Sequence, residues 1–161
     1  MRSFLLKEKK PILKWGQIPD GYFFEGTVPE GYSLAICPHF PYVILDVDKH
    51  GNVNGFDNIS FEIFKELDKH FNYLTKNNGR HYWMKYTGNK HLLNKSSGKG
   101  IDLRTDKVYV KWYLPQDIRA YIHEVKDTSE NMNNWLENLF IRKLKLNILL
   151  LSMIDKKYQE K

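Results

Sequence analysis

The chain contains a single cysteine, Cys37, among 161 residues. One thiol excludes an intramolecular disulfide and a four-cysteine zinc site, and it fits a reducing, cytoplasmic setting. Long apolar runs are also missing. The longest aliphatic stretch, Ile148 to Leu151, is far below the roughly 18 residues of a membrane span. The apolar residues near the start, Phe4-Leu5-Leu6, are too few for a signal peptide. No internal repeat or low-complexity segment stands out. What is present is a globular balance. Hydrophobic residues make up 42% and aromatics 14%, enough for one domain with a real core. Lys and Arg number 25 against 19 Asp and Glu, a net charge of +6 that favours a polyanionic partner such as nucleic acid or nucleotide phosphates.

Turn residues punctuate the first 33 positions, where Pro11, Gly16, Pro19, Gly21, Gly26, Pro29 and Gly31 leave room only for short strands. Ser33 to Cys37 reads as a strand that Pro38 stops, because proline cannot continue a ladder. Tyr42 to Asp48 is a second strand, and Lys49-His50-Gly51-Asn52 a turn. Asn58 to Phe71 has helical spacing: Ser60 suits an N-cap, Glu62 the first turn, and Ile63, Phe64, Leu67 and Phe71 one apolar face. Asn77-Asn78-Gly79 is a turn signal, and His81 to Tyr86 has strand composition. A polar loop with Lys90, Lys95 and Lys99 follows. Ile101–Arg104 and Val108–Trp112 form a hairpin-like pair. From about Asn131 onward, Trp135, Leu139, Leu146, Leu149 and Met153 predict a helix.

The chemistry begins at Tyr42-Val43-Ile44-Leu45-Asp46-Val47-Asp48. Residues two apart on a strand share a face, so both carboxylates project side by side. Such a pair repels itself unless a cation lies between, and magnesium or manganese suits oxygen donors. A solvated strand end explains the pair equally well when it is taken alone. A calcium loop is a third reading: Asp46, Asp48, His50, Gly51 and Asp57 match several loop positions. It fails because His50 is a poor calcium ligand, Asp57 is too short for bidentate closure, and no helix precedes the loop.

Two further elements carry candidate residues. Gly79 lets a backbone amide approach a phosphate closely, and Arg80 and His81 can donate to phosphate oxygens. Asp102, between Ile101 and Leu103, is an unexpected carboxylate on a strand, with Arg104 on the same face. Ser96-Ser97-Gly98-Lys99-Gly100 is not a P-loop, since Leu93 stands where its first glycine belongs and Gly100 follows the lysine. Cys37, His39 and His50 lack the spacing of a zinc site.

The order of the three elements is more specific than any one of them. Leu45-Asp46-Val47-Asp48, then Asn78-Gly79-Arg80-His81-Tyr82-Trp83, then Gly100-Ile101-Asp102-Leu103-Arg104 resembles the prim-pol domain. That domain belongs to the archaeo-eukaryotic primase superfamily and occurs in replication proteins of plasmids and phages. The resemblance spans residues 11–115, and Val108-Tyr109-Val110 is similar to the family's following strand. It implies an α+β fold: a mixed sheet with helices on its faces, an RRM-like catalytic subdomain of primase type, and a C-terminal helix. It implies a catalytic domain over 1–127, with 128–161 a helical extension packing on that domain or on a partner. Asp46, Asp48 and Asp102 would hold two magnesium or manganese ions for nucleotidyl transfer. His81 would contact the triphosphate, with Gly79, Arg80, Arg104 and Lys111 as further nucleotide or template contacts. The implied partners are single-stranded DNA, nucleoside triphosphates and a separate replicative helicase, with no membrane. Two rivals remain: a non-catalytic single-stranded DNA-binding or replication-initiation module, and a metal-dependent nuclease.

Overall fold

Strand β4 (Tyr42–Val47) sets the layering of the protein. Alternate strand residues point to opposite faces. Val43, Leu45 and Val47 enter one core, while Ile44 enters another and Asp46 follows it on that second face. The computed structural model describes residues 1–141.

Among these described residues, β4 is the middle strand of a five-stranded sheet ordered β7-β8-β4-β10-β9. Its members are β7 (Phe71–Leu74), β8 (Arg80–Lys85), β9 (Lys95–Ser96) and β10 (Ile101–Arg104). A second sheet is built from β1 (Arg2–Lys7), β2 (Lys10–Pro11), β3 (Tyr32–Cys37) and β11 (Val110–Lys111), in the order β11-β3-β1-β2. A small hairpin, β5 (Lys49–His50) with β6 (Val53–Asn54), follows β4. The fold is α+β.

Helices α1 (Phe61–Leu67) and α2 (Glu130–Phe140) cover one face of the central sheet. Ile63 and Leu67 of α1 and Met132, Leu136 and Phe140 of α2 pack on Val43, Leu45, Tyr82, Met84 and Leu103. The second sheet covers part of the opposite face, where Ile36 and Val110 meet Ile44, Trp83 and Phe71. Both helices are capped as their sequences require. Ser60 Oγ accepts from the Ile63 N–H at 3.4 Å, and Ser129 Oγ from the Met132 N–H at 3.1 Å. Glu66 joins the two helices by accepting from Ser129 Oγ at 2.6 Å and Asn131 Nδ2 at 3.1 Å, bonds that hold its carboxyl below the usual range. Leu136 is fully buried in this core. Leu136→Ala is therefore expected to cost roughly 2–5 kcal/mol of unfolding free energy, measurable by urea denaturation.

Several expectations need correction. The sheet is not mixed: every ladder between the named strands is antiparallel, and the parallel pairing is an isolated bridge, Lys85 to Asp127. The two α-helices among the described residues sit on one face of the sheet, and the opposite face carries only 3-10 turns, at Ile118–Ala120 and Ile122–Glu124, beside the second sheet. The helix expected over Asn58–Phe71 begins after a 3-10 turn at Gly55–Asn58 and ends at Leu67. Phe71 opens β7 instead, because its ring is taken up by the second core against Tyr121 and Trp112. Val108–Trp112 does not pair with β10. The Trp112 N–H donates to the Leu34 carbonyl at 2.8 Å, and β11 joins the other sheet, which buries Val110 and Trp112 between the layers. Helix α2 ends at Phe140, where Ile141 turns extended, and it belongs to the main core, with Trp135 and Leu139 flanking its buried stripe. Leu146, Leu149 and Met153 lie outside the described residues. No helix among the described residues is long and apolar enough to cross a membrane.

Candidate active site

Strand register assembles the site. Directly opposed residues on antiparallel strands share a face and sit side by side. One such row crosses the whole central sheet: Tyr73 on β7, His81 on β8, Asp46 on β4, Asp102 on β10 and Ser96 on β9. The neighbouring row on the same face is Phe71, Trp83, Ile44 and Arg104. That row is apolar except for Arg104, so the second core stops at the point where the carboxylates begin.

Asp46 is held from both sides. His81 Nε2 lies 3.3 Å from its Oδ1, and an Arg104 guanidinium nitrogen 3.8 Å from its Oδ2. The same guanidinium donates to Asp102 Oδ2 at 2.5 Å. Both carboxylates are largely shielded, with side chains 15% and 14% exposed, so this pairing works in a lowered dielectric. Asp48 extends the carboxylate face past the end of β4. Its N–H donates to the Gly100 carbonyl at 2.9 Å and its carbonyl accepts from the Gly55 N–H at 2.8 Å. Burial pushes the Asp48 carboxyl up, and the Asp46 and Asp102 charges push it further.

These groups open into a cleft of about 510 Å³. Asp46, Asp48, His81 and Arg104 line it together with Lys76, Lys107 and Lys111. Its aromatic lining is Trp15, Tyr109 and Tyr113. Trp15 and Tyr109 meet edge to face at 5.4 Å, and the Lys111 ammonium lies 5.5 Å from the Tyr113 ring centroid. Burial, with the Asp46 charge behind it, raises the Tyr113 phenol. The cleft therefore pairs an acidic centre with flanking lysines and flat aromatic surface.

The residues singled out in the sequence separate into two groups. Asp46, Asp48, Asp102, His81, Arg104 and Lys111 come together. Arg80 does not. It alternates onto the helix-facing side of β8, where it bonds Asn72 Oδ1 at 3.0 Å, approaches Asp68 at 3.7 Å and lies over the Tyr82 ring. Gly79 does allow a close backbone approach, but to the protein itself. A Cβ there would come within 2.5 Å of the Val47 carbonyl oxygen, so the glycine seats the turn against the end of β4. The calcium-loop reading ends here as well, since a strand leads into a hairpin and Asp57 accepts from Asn54 Nδ2 at 2.7 Å.

Four participants carried no usable sequence signal. Asn77 reads only as a turn residue, and nothing in the sequence singles out Lys76, Lys107 or Tyr73, which lies past the helix expected over Asn58–Phe71. Their place in the site follows from pairing between β7 and β8 and from the reversal that carries the chain from β10 to β11.

Magnesium or manganese fits the donor chemistry here. Three carboxylates supply hard oxygen ligands, and at Asp48 the charges of Asp46 and Asp102 add to the upward push of burial. As they stand, no group of three or more His, Cys, Asp or Glu among the described residues is disposed around one ion. Arg104 lies against both Asp102 and Asp46. No protein-family model matches the chain, and no curated protein matches it.

Proposed function

We propose that this chain is a template-directed nucleotidyltransferase of the primase-polymerase type. One observation carries the reading: Asp102 lies directly opposite Asp46 on the neighbouring strand, and His81 directly opposite it on the other side. The three elements whose order resembles the prim-pol domain thus meet in one row. The strand order β7-β8-β4-β10, with α1 crossing from β4 to β7 and both helices on one face, supports the RRM-like part of the proposal.

The chain's own residues divide the work. Asp46, Asp48 and Asp102 would hold the divalent ions. Those ions supply charge neutralisation at the transferred phosphoryl group and a more acidic attacking hydroxyl. Lys76, Lys107 and Lys111 bring positive charge to the cleft that receives a triphosphate. The His81 ring presents an N–H to its floor. Tyr113, 38% exposed, offers a face for stacking a base.

The test is incorporation of labelled nucleotides on a single-stranded DNA template with magnesium or manganese. Wild-type protein is expected to extend or initiate primers, and Asp102→Ala to lose that activity while its melting curve stays cooperative. Salt-sensitive DNA binding with no incorporation would instead identify the binding module. Strand cleavage without nucleotides would identify the nuclease.

A further inference from the structure

A second hollow, of about 620 Å³, adjoins the candidate active site across Lys111 and Tyr113, which line both. Leu34 and Tyr32 of β3 and the ring of Phe24 line it further on. Asp117 is the carboxylate in this lining, and Arg119 already neutralises it, with Nε 3.0 Å from Oδ1.

Beyond Tyr32 the hollow meets the hairpin of β1 and β2. The Lys7 ammonium lies 5.7 Å from the Tyr32 ring centroid. Lys7 and Lys10 are directly opposed on the antiparallel ladder, so their side chains share a face. Like charges in that position are destabilising. Among the described residues neither lysine has an ion-pair partner, and Glu8, the acid of the hairpin, pairs with neither. An anion lying along the hollow would compensate a repulsion that the fold leaves standing.

Register fixes the length of this path. Lys111 opposes Ala35 on one side of β3, and Lys7 opposes Tyr32 on the other. The two ends are three residues apart along β3, roughly 10 Å, and a strand's width to either side of it. That span suits a chain of several phosphates rather than a lone one. The aromatic faces of Tyr113 and Tyr32 suit unpaired bases, whose faces a duplex would hide.

We infer that this second hollow carries a single nucleic-acid strand from the catalytic cleft to the β1–β2 hairpin, where Lys7 and Lys10 hold its phosphates. The path rests on the proposed reading of the cleft as a nucleic-acid site.

The experiment is fluorescence anisotropy on the full chain in EDTA, without nucleotides, using a labelled oligothymidylate about twelve nucleotides long over a range of salt concentrations. The double variant Lys7→Gln/Lys10→Gln is expected to bind roughly tenfold more weakly at low salt. Its salt slope is expected to fall by about 1.4, since each phosphate contact to a single strand contributes about 0.7. Its melting temperature is expected to equal or exceed that of wild type, because a repelling pair has been removed. Tyr32→Leu is expected to weaken binding roughly fivefold at an unchanged salt slope, as loss of a stacking face does. Lys65→Gln/Lys69→Gln removes the same charge across the central sheet and is expected to bind as wild type does. Equal losses in the two lysine doubles overturn the proposal. So does wild-type affinity in the Lys7/Lys10 double or in Tyr32→Leu, and so does a wild-type chain that does not bind the oligonucleotide. If binding follows this pattern and the wild-type chain incorporates no nucleotide, nucleotidyl transfer fails and the path stands. If the chain incorporates nucleotides while the Lys7/Lys10 and Tyr32 variants bind and extend as it does, the path fails and the proposed function stands.

Discussion

Asp46→Asn is expected to reduce template-dependent incorporation by roughly 10³-fold or more, about 4 kcal/mol of transition-state stabilisation. Asparagine keeps the shape of the side chain and removes its charge. The site is centred on that charge: Asp46 lies between His81 and Arg104, with Asp102 opposite it on β10 and Asp48 just past the end of its own strand. An amide is a poor ligand for a hard divalent ion and neutralises nothing at a transferring phosphate. Folding should be little affected, because the apolar partners of β4 are Val43, Ile44, Leu45 and Val47, which the variant retains. Incorporation kinetics and thermal melts on the same preparation separate the two effects. A variant that melts normally and retains a tenth of wild-type activity would remove Asp46 from the chemistry.

Arg104→Ala is expected to tighten manganese binding by about tenfold. The guanidinium already serves as the cation for Asp102, at 2.5 Å, and more distantly for Asp46, at 3.8 Å. An incoming metal must displace it. Hydrogen bonds to charged groups contribute roughly 1.5–3 kcal/mol, and partial solvent exposure of this side chain puts the lower end in force. That is about tenfold in affinity. Without metal, the variant leaves Asp46, Asp48 and Asp102 less compensated, so it should melt earlier than wild type. Added manganese should then raise its melting temperature by more than it raises that of wild type. Calorimetric titration of both proteins measures the difference directly, with no nucleotide present. Unchanged or weaker binding in the variant would show that the carboxylates are not shared between Arg104 and a metal.

Much of the local structure was legible in the sequence. The apolar run over Tyr42–Asp48 marked β4, which ends one residue earlier at Val47, proline ended β3, and Ser60 and the apolar spacing of Ile63 and Leu67 marked α1. The order of Asp46, Asp48, His81 and Asp102 pointed to a common site before any pairing was known. These signals are local. Periodicity and capping depend on neighbours a few residues apart, which the chain spells out directly.

The tertiary structure decided the rest. Whether Asp102 meets Asp46 depends on the register of β10 against β4, and a slip of one residue would turn it to the helix-facing core. The same rule sends Arg80 away from the cleft while its neighbour His81 enters it. Phe71 had helical spacing with Leu67, but a second core claimed it and began the strand that carries Tyr73. Val108–Trp112 looked like a partner for β10, yet burial of Val110 and Trp112 against β3 was available only in the other sheet. The sequence alone determined which residues could do chemistry and the order in which they occur. Long-range pairing decided which of them touch, because strand partners are selected by burial across the whole fold and leave no local mark on either strand.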